Sequence, residues 1–174
     1  MPQERPPELL RSTQGTWPVT GYAALGPTRQ ALTALCVRDP PLVMPSAYPL
    51  LAAPVRRLEV VFTELAGNAL RHGRQPVRAW LRSTARAWLI GIDDGAPDLR
   101  PTVGSLDTDQ IGGRGLAIVL SLTSGAGWYV DGGVKTVWAE VPDSPPDELL
   151  QLLQQPRSGL SRSGSDPRPE HDVL

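Results

Sequence analysis

Apolar residues recur at three- and four-residue steps most clearly between Pro54 and Gly73. Leu58, Val61, Phe62, Leu65 and Ala69 share one face of a helix; Pro54 stands where it would begin and Gly73 where it would end. A shorter stretch with the same period, Ala31, Leu32, Ala34 and Leu35, predicts a helix starting near Pro27 and stopped by Asp39-Pro40-Pro41. A proline-rich connecting loop follows, up to Pro54. After Pro76 the period drops to two. Val77, Ala79 and Leu81 alternate with Arg78, Trp80 and Arg82, while Trp88, Ile90 and Ile92 alternate with Leu89, Gly91 and Asp93. That pattern predicts two strands joined by a short turn near Ser83-Thr84-Ala85. Residues 95–112 are turn-rich and aperiodic, and a loop of that length in a small domain is usually functional or mobile. Helical spacing returns from Leu116 to Leu122. Trp128–Val130 and Thr136–Ala139 then flank Asp131-Gly132-Gly133 as a final hairpin, and Asp147–Leu153 reads as a closing short helix.

The predicted order of elements implies an α+β fold, a two-layer sandwich of a mixed, mostly antiparallel sheet covered on one face by helices. Residues 1–20 read as a flexible N-terminal arm, 21–155 as the folded domain and 156–174 as a disordered tail. Within 174 residues, an apolar fraction of 40% is enough for one core. The formal net charge of −1 argues against holding nucleic acid by bulk positive charge. A single cysteine, Cys36, excludes an intramolecular disulfide framework, and with only His72 and His171 no structural zinc is expected. The N-terminus lacks the order of a signal peptide, and no run approaches the ~18 apolar residues of a membrane helix. The expectation is a cytoplasmic protein without membrane contact. Among 17 basic residues, Lys135 is the only lysine.

Candidate chemistry lies at four places. Glu64 and Asn68, four residues apart, differ by about 40° around a helix, and Arg71 falls about 20° to the other side of Glu64. An amide oxygen is a hard ligand for Mg²⁺, a carboxylate can orient or deprotonate a nucleophile, and a guanidinium can meet phosphate. A solvated polar helix face has the same spacing. In the strand Trp88–Asp94, pointing Trp88, Ile90 and Ile92 into the core sends Asp94 inward and Asp93 outward. An inward carboxylate at a strand end, followed by Gly95, can accept from the amino group of a purine, although Asp-Gly turns end many strands. Gly112-Gly113-Arg114-Gly115-Leu116 runs straight into a helix, a setting that suits anions, although such a glycine cluster by itself reads first as a flexible loop. Thr136 can offer a hydroxyl near phosphate or serve only as a strand former. His72 reads as a packing or capping group, and Trp80, Trp88, Trp128 and Trp138 as core.

Taken in order, Glu64-Leu-Ala-Gly-Asn68-Ala-Leu-Arg-His-Gly73, Asp94-Gly95-Ala96-Pro97, Gly113-Arg114-Gly115-Leu116 and Lys135-Thr136-Val137-Trp138-Ala139-Glu140 resemble the GHKL ATPase superfamily. Within it they are most similar to the small bacterial anti-sigma-factor serine kinases and their single-domain ATP-binding relatives, over roughly residues 26–142. The resemblance implies a Bergerat-type fold that binds ATP and Mg²⁺. It implies Glu64 as general base or orienting carboxylate, Asn68 as magnesium ligand and Asp94 as acceptor from the adenine amino group. It also implies Gly113 and Gly115 at the end of an ATP lid and Thr136 near the base. Arg71, Gly95, Arg114 and Leu116 complete the expected nucleotide contacts. The family's D-x-G-x-G pattern is altered here, with Ala96 and Asp98 at its two glycine positions. Two activities stay open at this point. One is a serine/threonine kinase acting on a sigma-factor or anti-sigma-antagonist partner. The other is a nucleotide-dependent switch that sequesters a transcription regulator with little phosphotransfer. A homodimer is also suggested.

Overall fold

The long periodic segment forms α2, Ala52–His72, with Leu58, Val61, Phe62, Leu65, Ala66 and Ala69 buried along one stripe. Each large apolar side chain buried this way contributes about 1.5–3 kcal/mol. That sum outweighs the ~1 kcal/mol cost of Gly67 inside the helix, where no neighbour within 4 Å demands a glycine. The computed structural model describes residues 1–6, 13–38, 52–84, 87–103 and 114–142. Its other helices are α1, Leu25–Arg38, which begins two residues before Pro27, and α3, Arg114–Leu122. The strands are β1, Thr13–Pro18; β2, Arg78–Ser83; β3, Ala87–Asp94; β4, Gly125–Asp131; and β5, Val134–Pro142.

The five strands make one sheet in the order β1-β2-β3-β5-β4, every neighbouring pair antiparallel. β4 and β5 are joined through Gly132 and Gly133, whose φ values of 55° and 79° are the left-handed conformation that a two-residue hairpin turn requires. The molecule is an α+β two-layer sandwich, and the predicted helices and strands within the described residues are present with shifts of a few residues at their ends. Its main core joins α1, α2 and α3 to Ala79, Leu81, Trp88, Ile90, Ile92, Ala139 and Val141 of the sheet and to Val77 just before β2. Cys36 is fully buried there, and burial pushes its thiol up to about 12.

One expectation needs correction. The arm expected over residues 1–20 contains β1, which pairs with β2 at one edge of the sheet. At the opposite edge, Glu4 N–H donates to Trp128 O at 2.8 Å and Trp128 N–H to Pro2 O at 3.1 Å, while Met1 packs on the main core. Backbone pairing is available to any residue type, so a polar segment without periodicity can still be held at a sheet edge. The four strand tryptophans are buried, as expected of core residues, and they divide between the two faces of the sheet. Trp88 lies under the helices, whereas Trp80 and Trp138 form a second buried cluster with Leu89 on the other face. The connecting loop 39–51, the loop from 104 to 112, the helix expected at Asp147–Leu153 and the tail from 156 lie outside the described residues.

Candidate functional site

One stripe of α2, spaced by three and four residues, presents Leu65, Asn68, Ala69 and His72 to a cavity of about 750 Å³. That volume is in the range of small-molecule sites. Ile92 and Asp94 of β3, Lys135 and Val137 of β5 and Leu116 of α3 supply the other walls, and residues 98–102 border it. Leu65, Ala69, Ile92, Leu116 and Val137 make an apolar slot with a charged end.

The charged end is a buried ion pair. Lys135 Nζ lies 3.2 Å from Asp94 Oδ2, the two side chains 6% and 1% exposed. Strand register sets them opposite each other, Asp94 against Lys135 in the β3–β5 ladder. Taking two such charges out of water costs several kcal/mol per ion unless each finds further partners. Both do: Ala96 N–H donates to Asp94 Oδ1 at 2.8 Å, and Lys135 Nζ donates to Leu99 O at 2.9 Å. Glycine makes the approach possible, because a Cβ on Gly73 would stand 2.7 Å from Asp94 Cγ. Gly95 has a comparable role one step away. Its N–H donates to Arg74 O at 2.7 Å, and a Cβ there would meet Gln75 O at 2.8 Å. It closes the strand end onto the segment after α2 and does not line the cavity.

The loop leaving β3 is clipped at its start. Arg74 donates to both oxygens of Asp98, at 2.7 and 3.2 Å, and this hydrogen bonding holds the Asp98 carboxyl below the usual carboxylate range. Asp98, at a glycine position of the family pattern, therefore ties the loop to the segment after α2.

Of the residues expected to bind, Asn68, Asp94 and Leu116 line the cavity. Asn68 is half-buried and makes no hydrogen bond among the described residues. Glu64 lies beside it on the flank of α2, its carboxylate against Gly115 in the first turn of α3, where an added Cβ would strike it. The partial positive charge of a helix N-terminus favours a carboxylate there. Arg71 and Arg114 are exposed and do not line the cavity, and Gly113 lies outside the described residues.

Thr136 faces the other way. Its hydroxyl donates to Asp93 Oδ1 at 2.8 Å, on the face that carries Trp80 and Trp138, so its side chain cannot reach a ligand in the cavity. Alternation explains the correction: Lys135 and Val137 point to the helices, Thr136 and Trp138 away. Lys135, His72, Arg100 and Thr102 are among the cavity residues that sequence reasoning left aside. His72 was visible as the residue four after Asn68, on the same helical stripe.

No protein-family model matches the sequence, and no curated protein matches it. A solved structure of the Acinetobacter baumannii histidine kinase AdeS is similar at 17% identity over 75% of this chain and 68% of that chain, with a TM-score of 0.39. The likeness is a distant one of fold, and no residue role rests on it. No helix among the described residues is long and apolar enough to cross a membrane.

Proposed function

We propose that the cleft binds ATP with Mg²⁺ and that the protein is a regulatory kinase of the anti-sigma-factor type. The observation that carries this reading is the buried Asp94 carboxylate at the end of an apolar slot whose rim holds the amide of Asn68, without a hydrogen-bond partner among the described residues. A flat apolar ring with an amino group suits the slot, and a polar phosphate chain suits the rim. The donor set fits the cofactor. Asn68 would supply an amide oxygen to Mg²⁺, which takes few protein ligands and keeps water and phosphate for the rest. When bound, the ion neutralises charge on the phosphates. Glu64, one turn before Asn68, orients the hydroxyl of a partner's serine or threonine and accepts its proton as that oxygen bonds to the γ-phosphorus of ATP and the bond to the bridging oxygen breaks, releasing ADP. Gly115 lets the first turn of α3 approach that carboxylate.

Calorimetric titration with ATP and ADP, with and without Mg²⁺, tests the binding step. Asn68→Ala should lose the magnesium-dependent part of ATP affinity; unchanged affinity would remove Asn68 from the metal. Glu64→Ala should bind ATP as before and transfer no labelled phosphate to protein in a lysate. Transfer by the wild type distinguishes a kinase from a binding switch that sequesters a transcription regulator, and full transfer by the variant would remove Glu64 from the chemistry.

A further inference from the structure

The cation beside Asp94 is the feature that the nucleotide reading has not used. Lys135 is the only lysine of the chain, its side chain is 6% exposed, and it lines the same cavity as Asp94. An ammonium has three N–H donors. One is donated to Leu99 O, Asp94 Oδ2 lies 3.2 Å away as the ion-pair partner, and no further acceptor is found among the described residues. Asp94 is acceptor-only, and Ala96 N–H and Lys135 occupy part of its capacity of about four lone-pair sites. The end of the slot therefore presents a hydrogen-bond acceptor and a hydrogen-bond donor with their heavy atoms 3.2 Å apart.

We infer that Lys135 is a base-specificity residue that donates to ring nitrogen N1 of adenine while Asp94 accepts from the 6-amino group. This inference rests on the nucleotide reading of the cleft and adds a second contact to it. Adenine carries a donor and an acceptor on adjacent atoms of its Watson–Crick edge, complementary to the Asp94–Lys135 pair. Guanine in the same pose carries them reversed, with O6 toward the carboxylate and N1–H toward the ammonium, so like faces like at both contacts. A site built to hydrogen-bond a ligand rejects analogues that leave its buried polar groups unpaired. The alternative is that Lys135 serves only to hold Asp94 and the Leu99 carbonyl. In that case N1 of the base is indifferent to it.

Calorimetry on the wild-type chain with three triphosphates separates these outcomes without any substitution. The 1-deaza analogue of ATP keeps the amino group and replaces N1 with C–H. It should bind roughly tenfold or more weakly than ATP, with GTP weaker still. Equal affinity for ATP and the 1-deaza analogue, or GTP binding as tightly as ATP, overturns the inference while leaving nucleotide binding intact. Failure of the wild type to bind ATP overturns the nucleotide reading as well. In a folded Lys135→Met variant the preference for ATP over its 1-deaza analogue should fall to about one. A preference kept at the wild-type ratio would assign N1 to another group.

Discussion

Asp93 and Asp94 are neighbours in β3, and the pleat sends them to opposite faces of the sheet. On the outer face Asp93 Oδ1 accepts from Trp80 Nε1 at 3.0 Å and from Thr136 Oγ1 at 2.8 Å. Those donors come from β2 and β5, so one carboxylate ties the two strands flanking its own. Arg82 lies over the Trp80 ring at 4.8 Å, and the cluster is a packed, polar-capped surface. On the helix face Asp94 has a cation and a cavity in front of it. Both acids are satisfied by hydrogen bonds. Both border open volume, and they differ in what holds them: neutral donors tie Asp93 into strand register beside a polar pocket bordered by Arg78 and Arg82, whereas Asp94 is half of a buried charge pair at the end of an apolar slot, where it can discriminate a ligand.

Substituting each acid in turn should have the largest and most unequal consequences. Asp94→Asn leaves the Lys135 ammonium buried without its counter-charge, and breaking a buried pair costs about 3–5 kcal/mol. The same change should remove most ATP affinity, since an amide can donate where the base also donates. Asp93→Asn retains a carbonyl acceptor and should cost only about 1 kcal/mol. Urea unfolding and ATP titration of both variants give the test. If the Asp93 variant loses nucleotide and the Asp94 variant keeps it, the two faces have been assigned the wrong roles.

A methyl group sharpens the same contrast from the outer side. A Cβ on Gly91 would overlap the Trp80 indole, because the strand passes directly beneath that ring. Gly91→Ala should displace Trp80 from Asp93 and from Arg82, a loss of about 1–3 kcal/mol by overpacking. ATP affinity should stay within about twofold of wild type if the folded population is corrected for. A large loss of affinity in the folded variant would mean that the outer cluster shapes the cleft through the sheet.

The position of Asp94 was legible because Trp88, Ile90 and Ile92 alternate strictly, and all three enter the main core. The helical stripe through Asn68 was legible for the corresponding reason at period 3.6. Thr136 was placed near the base by the resemblance alone, and hydrophobicity could not check it, since it does not say which face is the helix face when both carry tryptophan. Its alternation with Trp138 was visible, but Trp138 had no assigned side until the sheet was assembled. Lys135 is a register effect, since its partner is 41 residues earlier and only the β3–β5 ladder brings them opposite. β1 left little trace because Thr13-Gln-Gly-Thr-Trp-Pro has no apolar alternation and pairs with a single neighbour. Periodicity reports which side chains are buried; it does not report backbone pairing at an edge.

The smallest expected effect concerns the clip between the loop and α2. Arg74 and Asp98 are more than half exposed, so water and salt screen their attraction, as they do for most surface pairs. Hydrogen bonding from Arg74, first among its causes, lowers the Asp98 pKa in the folded chain below its unfolded value. A lowered carboxylate contributes stability that is fully present above the unfolded pKa and is lost as pH falls through the folded one. Asp98→Asn abolishes that titration. The wild type should therefore melt slightly above the variant at neutral pH, and the gap should close as the solution is taken below the ordinary carboxylate range. High salt at neutral pH should narrow it too, whereas the gap between wild type and Asp94→Asn, which rests on a buried pair, should respond to salt far less. A gap for Asp98→Asn that ignores both pH and salt would show that the contact holds the loop by shape and not by charge.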